Sequence, residues 1–220
     1  MTLTVAGAGL TLKILLMAGG AAFADAPAGT AATPPQATVS AQARNQAGKP
    51  TSLLVPAEFA VPTLVETSDF KLVPLGPALV RLDFDAYMSS IEHLQKTFSR
   101  STAWPHAGIS DADAMRDIEA EEARFRNRKS FAYAVLSPDG MLERGSVYVS
   151  PSPVEGYDAV VRMWVTKDEY DAGFDAELHK WVADWIRTDW PFAKVAYPGR
   201  TIEWDEWQSM IVANKAAKTR

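Results

Sequence analysis

The stretch with the clearest potential for chemistry in this chain is residues 160–178. A β-branched run at its start predicts a strand, a short polar segment with one glycine predicts a loop, and the amphipathic pattern that follows predicts a helix. A strand, a glycine loop and a helix N-terminus together present backbone N–H groups that can bind an anionic group such as a phosphate. The stretch therefore predicts a ligand site at the loop.

Composition and spacing argue against several other kinds of site. The formal net charge of −5 is unfavourable for nucleic-acid binding, and the absence of cysteine excludes thiolate catalysis, disulfides and cysteine-based zinc sites. The three histidines lack metal-ligand spacing, so no metal is expected. His93 and Glu92 are adjacent on a predicted helix and point apart. His106 is expected at the surface and His179 in solvent.

The first 24 residues have the features of a secretory signal peptide. Lys13 precedes a short apolar run, and Ala22-Phe23-Ala24 has the small-x-small form of a cleavage site. Cleavage implies a periplasmic or secreted protein; without it the protein is cytoplasmic. The run is too short and too rich in glycine and alanine for a stable membrane span. Residues 25–66 are expected to form a disordered linker and, from residue 51, an extended lead-in on the domain surface.

The folded unit is predicted at residues 67–200, followed by a short helical tail at 201–220. The predicted strands are 70–73, 131–136, 146–149, 157–166 and 192–197. One helical face runs along 84–98, and a capping-box pattern begins another helix at Ser110. The clearest helical stripe, which is expected to be buried, consists of Leu178, Trp181, Val182, Trp185 and Ile186.

The order of these elements predicts the fold class. Ser137-Pro138-Asp139-Gly140 is a strong turn signal and predicts an antiparallel hairpin between the second and third strands. The last strand–helix–strand unit requires parallel pairing. The expected fold is therefore α/β of the α+β type, with a mixed, mostly antiparallel sheet and helices on both faces.

The element order and three local phrases, at residues 85–94, 131–151 and 190–200, resemble the GNAT acetyltransferases, especially a group of small bacterial GNAT-like proteins. The resemblance covers about residues 66–200 and implies a C-terminally shortened GNAT-like sheet, acetyl-CoA as cofactor and an amine as acyl acceptor. It names neither the acceptor nor a catalytic residue. The cofactor-binding residues that it implies are Trp164, Val165, Thr166, Ala172, Gly173 and Phe174.

The chain departs from the family pattern at the cofactor loop, which reads (Gln/Arg)-x-x-Gly-x-(Gly/Ala) in the family. Of the matching residues only Gly173 fits, because Tyr170 replaces Gln or Arg and Asp175 replaces the second small residue. Asp175 is expected to be the N-cap of the next helix and would place a negative charge where the family binds a phosphate. The loop is acidic, with only Lys167 expected in compensation.

Two hypotheses about function follow. The first is an acetyltransferase that uses acetyl-CoA and an amine acceptor. The second is a non-catalytic binding or interaction domain with a degenerate cofactor loop, which an exported N-terminus favours. Only about 20 residues follow Arg200, too few for the two further strands that carry part of the acceptor site in the family.

Overall fold

A six-stranded sheet in the order β1-β2-β3-β4-β5-β6 organises the computed structural model, which describes residues 53–219. All neighbouring strands are antiparallel except β5 and β6, which are parallel. The predicted signal peptide and the linker through residue 52 lie outside the described residues. The strands are β1 (Val65–Glu66), β2 (Lys71–Pro74), β3 (Phe131–Leu136), β4 (Glu143–Pro151), β5 (Ala159–Val165) and β6 (Val195–Ala196).

Helices cover both faces of this sheet, which confirms the predicted fold class. None of the helices within residues 53–219 combines the length and the apolar character needed to cross a membrane. A short 3-10 turn (Pro77–Leu79) leads into the first of the helices, which are α1 (Val80–Met88), α2 (Ile91–Thr97), α3 (Asp111–Arg126), α4 (Lys167–Asp171), α5 (Phe174–Asp189) and α6 (Trp204–Lys218).

One face of the sheet packs against α5, and we call it the α5 face. The predicted stripe lies here: Leu178, Val182, Trp185 and Ile186 are buried against alternate residues of β3, β4 and β5. Trp181 is only partly buried and stacks on Trp185 at the edge of this core. The stripe is therefore confirmed except at Trp181.

The extended lead-in belongs to the same core. Val55 is 2% exposed, and the Leu54 N–H donates to the Arg128 carbonyl at 2.9 Å. The Tyr133 hydroxyl donates to the Pro62 carbonyl at 2.9 Å. The segment from residue 53 onward thus covers one edge of the core rather than lying loosely on the surface.

The opposite face carries α1, α2, α3 and α6, and we call it the α1/α3 face. Ser110 and Asp113 form the predicted capping box at the start of α3. The single helix predicted along 84–98 is wrong, because the chain breaks between α1 and α2 at Ser89 and Ser90. The Ser89 hydroxyl donates to the Ala86 carbonyl at 2.7 Å and so competes with helical bonding, and Ser90 Oγ accepts from the distant Lys167 N–H.

Two predictions near the C-terminus also need correction. The strand predicted at 192–197 is reduced to Val195–Ala196, since Pro191 and Pro198 have no N–H to donate to a strand ladder. The last helix is longer than predicted and packs Trp207 against Val160 and Ala196 on the α1/α3 face.

Candidate functional site

The candidate site lies where β5 and β6 separate. The two strands pair only at Ala159 with Val195 and at Val160 with Ala196. Beyond Val160, β5 continues to Val165 without a partner from β6, and α4 and the N-terminus of α5 follow at its end. At this place, which we call the β5/β6 cleft, β5 loses its pairing with β6 next to a helix N-terminus.

The connection from β5 to α5 is not the open loop that the sequence predicts, because it contains the short helix α4. Thr166 Oγ1 caps this helix by accepting from the Glu169 N–H at 3.4 Å. At its other end, the N–H groups of Ala172 and Gly173 donate to the carbonyls of Asp168 and Tyr170, both at 3.0 Å. Two amides expected to bind the ligand are therefore already used.

Three backbone N–H groups at the start of α5 are not used in this way. The N-cap of α5 is Gly173, with a φ of 88°, and it has no side chain to accept from the first turn. The N–H groups of Phe174, Asp175 and Ala176 have no carbonyl partner within the helix, as at any helix N-terminus. These three donors and the helix dipole are what the structure offers an anion.

Asp175 is not the N-cap that the sequence predicts. It lies in the first turn of α5, where its side chain is 11% exposed and forms an ion pair with Arg200. Arg200 Nη2 donates to Asp175 Oδ1 at 2.6 Å and Nη1 donates to Oδ2, a bidentate arrangement. Arg200 follows the turn at Gly199, whose φ of 76° favours glycine. The carboxylate is thus neutralised next to the α5 amides.

Two of the other acidic residues of the connection, Glu169 and Asp171, are also compensated, and Arg144 contributes in addition to the expected Lys167. Arg144 on β4 donates to both carboxylate oxygens of Glu169, at 2.8 and 2.6 Å. Its guanidinium lies 3.5 Å from the centre of the Phe174 ring. Lys167 pairs with Asp171. The local field at the cleft is therefore much less negative than the sequence indicates.

The six residues implied by the resemblance surround this connection, but three of them are buried. The side chains of Trp164, Val165 and Phe174 are buried, with 2%, 0% and 5% exposure. Trp164 packs on the α1/α3 face and Phe174 on the α5 face. Of the six, Thr166 is partly buried and Ala172 and Gly173 are exposed, so these three are the residues that a ligand in the β5/β6 cleft can reach.

Two imidazoles lie beside the cleft. His93 hydrogen-bonds to the Val165 backbone, and its ring centroid is 4.8 Å from that of Tyr170. His179 packs on Tyr197 at 5.7 Å, and its Nε2 is buried with no hydrogen-bond partner within residues 53–219, so the expectation of a solvated side chain is wrong. Burial lowers the pKa of His93, and burial and Arg200 lower the pKa of His179. Both rings are neutral at pH 7.

Sequence reasoning missed Arg144 and Arg200, and it considered His93 and His179 but assigned neither to a site. Each arginine lies 25 residues from its carboxylate partner, so no local spacing announces the pair. The one available signal was the excess of acid residues in the connection, which requires cations from elsewhere if they are to be buried.

Solved structures with a similar fold are acetyltransferases. A ribosomal-protein-S5-alanine acetyltransferase from Vibrio fischeri is 12% identical, with a TM-score of 0.51 over 69% of this chain and 81% of that one. A ribosomal L7/L12 alpha-N-protein acetyltransferase in complex with coenzyme A is 12% identical over 57% of this chain and 70% of that one, with a TM-score of 0.46. A protein from Bordetella pertussis assigned to the GNAT family is 16% identical over 70% and 87%, with a TM-score of 0.44.

At these identities the similarity establishes the fold alone, and the first of these structures carries that conclusion. The chain has the fold of the GNAT acetyltransferases, as the resemblance implied. No family model and no curated protein matches the sequence.

Proposed function

We propose that this protein is an acyltransferase of the GNAT type, which binds acetyl-CoA in the β5/β6 cleft and transfers the acetyl group to an amine. The observation that carries the proposal is the separation of β5 and β6 after Val160, directly before the free amides of α5. An extended ligand can pair with the unpaired backbone of β5 while its phosphates meet Phe174, Asp175 and Ala176.

The Asp175–Arg200 pair decides how tightly phosphates bind. With Asp175 neutralised, an anion at the α5 N-terminus meets the helix dipole and one face of a guanidinium instead of a bare carboxylate. The carboxylate nevertheless competes with the ligand for Arg200. The expected affinity is therefore moderate in the parent protein and higher once this competition is removed.

Acyl transfer also needs a group that accepts the proton of the attacking amine. His93 and His179 can do so, because both are neutral at pH 7 and lie beside the cleft. Changing each in turn to Gln tests this assignment. The variant that loses the base should show a lower kcat and unchanged acetyl-CoA affinity, whereas a structural histidine would affect both or neither.

Calorimetry with acetyl-CoA tests the binding step. The parent protein should bind saturably, and Asp175→Asn should tighten binding by about tenfold because it frees Arg200 and removes a like charge. Asp171→Asn is the matched control, since it removes a charge on α4 that already pairs with Lys167. Silence from the parent and from Asp175→Asn at millimolar acetyl-CoA would contradict the proposal.

A second candidate is a binding or interaction domain that has lost the cofactor. The specific observation in its favour is that α4 already uses the amides of Ala172 and Gly173, two donors of the expected phosphate loop. It predicts no response to acetyl-CoA from any of these variants.

Export is a separate part of the proposal. If Ala22-Phe23-Ala24 is cleaved, the mature chain begins at Asp25 and is found outside the cytoplasm. Intact-mass analysis of fractionated cells tests this, and recovery of the full-length chain from the cytosol would contradict it.

A further inference from the structure

A second cavity lies on the α1/α3 face, apart from the β5/β6 cleft. It has a volume of about 380 Å³ and lies between α1, α3, the segment after α2, and strands β4 and β5. Its lining includes none of the six cofactor residues implied by the resemblance. The inference below therefore does not depend on acetyl-CoA binding.

Aromatic rings form one wall of this cavity. Tyr87 from α1 lies 5.3 Å from Trp104, Trp104 lies 5.9 Å from Phe98, and Phe98 lies 5.6 Å from Tyr148 on β4, measured between ring centroids. All four residues line the cavity. A continuous wall of aromatic rings suits an apolar body or the face-on approach of a cation.

Carboxyl groups form another part of the lining. Asp83 of α1 and the α3 residues Asp117 and Glu121 line the cavity, with Asp117 at its exposed rim. Glu143 of β4 lies directly behind Asp83; it is 6% exposed and its Oε1 accepts from the Ser146 hydroxyl at 2.8 Å. Within residues 53–219 neither Asp83, which is partly buried, nor the buried Glu143 forms an ion pair, so this pair of carboxyl groups has no protein counter-ion.

The second carboxylate oxygen of Glu143 indicates that the pair needs either a shared proton or a nearby cation. Oε2 is buried and has no donor among the described residues unless a proton sits between it and Asp83, in which case the two carboxyl groups hydrogen-bond. Two carboxylates within hydrogen-bonding reach of each other are strongly disfavoured from both being charged without a cation nearby. The protein alone holds the pair by retaining one proton, and a bound cation would balance the negative charge that remains.

The two arginines of the lining do not supply this cation. Arg124 pairs with Glu121, with Nη2 2.6 Å from Oε1. Arg162 lies 4.4 Å from the centre of the Phe98 ring and donates from Nη2 to the Phe98 carbonyl at 3.0 Å. With one shared proton, four carboxyl groups carry about three negative charges against these two positive charges, which leaves room for one monovalent cation.

We propose that this cavity binds a small organic ammonium ion, with its charged head against Asp83 and Asp117 and its apolar part against Tyr87 and Trp104. A metal ion is not expected, because no group of three or more His, Asp or Glu side chains within residues 53–219 could hold one. An inorganic cation would also leave the aromatic wall uncovered. The apolar wall and the carboxyl side together select an amine with an aromatic or aliphatic body.

Calorimetry with three matched probes tests this proposal: phenethylammonium, neutral phenethyl alcohol and anionic phenylacetate. At neutral pH the ammonium probe should bind saturably and at least about tenfold more tightly than the alcohol, and phenylacetate should not bind. Equal affinity for the ammonium and the alcohol, or binding of phenylacetate on the arginine side, would overturn the proposal.

A variant pair assigns the effect to the cavity. Asp83→Asn should weaken binding of phenethylammonium by about tenfold or more, since it removes the charge with little change of shape. Asp85→Asn is the matched control on the same helix, where Asp85 is exposed and pairs with Arg81. Thermal unfolding verifies that both variants fold. Unchanged affinity in Asp83→Asn, or an equal loss in both variants, would contradict the assignment.

The pH dependence supplies a readout that a merely structural carboxyl pair would not give. Asp83 faces Glu143 from β4 and Asp117 and Glu121 from α3. Burial first, and then the charges of Glu121 and Asp117, raise the pKa of Asp83 to about 6, although its hydrogen bond with Glu143 lowers it. Tyr87 and Tyr148 lie beside the pair, and burial raises the pKa of both hydroxyls, so they stay neutral.

Affinity for the ammonium probe should therefore fall as the pH drops through about 6 in the parent protein. It should fall much less in Asp83→Asn; the same fall in both would overturn the proposal.

Discussion

The two faces of the sheet bury different kinds of residue. The α5 face is an apolar core of aromatic and aliphatic side chains, sealed at its edge by the lead-in from residue 53. The α1/α3 face contains smaller apolar clusters separated by a cavity, with Asp83, Glu143 and Arg162 buried or half-buried around it. Buried ionisable groups cost stability, and they concentrate where proteins bind ligands. The comparison indicates that the α5 face stabilises the fold and that the α1/α3 face retains polar groups for binding.

The largest expected effect concerns the α5 face. Trp185→Ala should lower the free energy of unfolding by about 3–5 kcal/mol, because Trp185 is 5% exposed and packs against Tyr133 and Trp190. Trp181→Ala should cost clearly less, since Trp181 is only partly buried. Denaturant titrations measure both. A cost below about 1 kcal/mol for Trp185→Ala would break the claim that this face stabilises the fold.

The next prediction concerns the α1/α3 face, where a substitution should raise the free energy of unfolding instead of lowering it. The pKa of Asp83 rises from 3.8 in an unfolded chain to about 6 in the folded protein, mainly through burial. A raised carboxyl pKa leaves stability intact at low pH and reduces it as the pH rises through about 6. At about 1.4 kcal/mol per pKa unit, the loss at neutral pH is up to about 3 kcal/mol.

Asp83→Asn should therefore unfold at higher denaturant concentration than the parent at neutral pH, and at about the same concentration near pH 4. The exposed Asp85→Asn serves as the control. Destabilisation by Asp83→Asn at neutral pH would show that the carboxyl pair supports the fold, and this result would contradict the proposed difference between the two faces.

A smaller effect tests whether the lead-in is part of the core. Tyr133→Phe removes the hydroxyl that donates to the Pro62 carbonyl and leaves the ring in place. The expected loss is about 1 kcal/mol. The protein should also become more sensitive to proteolysis at residues 53–64, measured by limited digestion and mass spectrometry. No change in either quantity would show that the lead-in contributes little to the α5 face.

The α5 face could be predicted from the sequence because its signals are local. The spacing of Leu178, Val182 and Trp185 specifies a helix and its buried side, and the Ser137–Gly140 turn specifies a hairpin. Local signals also allowed the fold class and its resemblance to be recognised. They failed at element ends, where Ser89 and Ser90 interrupt a continuous apolar pattern.

The candidate sites were only partly predictable because they depend on contacts between distant segments. The sequence located the connection after β5 but not the Arg200 and Arg144 side chains that neutralise it, since each lies on another element. The cavity on the α1/α3 face combines residues from two helices, two strands and a connecting segment. No periodicity within one element indicates that Asp83 meets Glu143.

The central claim of this account is that the N-terminus of α5 binds the phosphates of acetyl-CoA. Titration of isotope-labelled protein with acetyl-CoA, observed through backbone amide chemical shifts, tests it most directly. The account predicts saturable shifts at Phe174, Asp175 and Ala176, where the free N–H groups lie, and smaller shifts at Ala172 and Gly173, whose N–H groups are already bonded. Unchanged shifts at all three α5 amides in the presence of millimolar acetyl-CoA would contradict it.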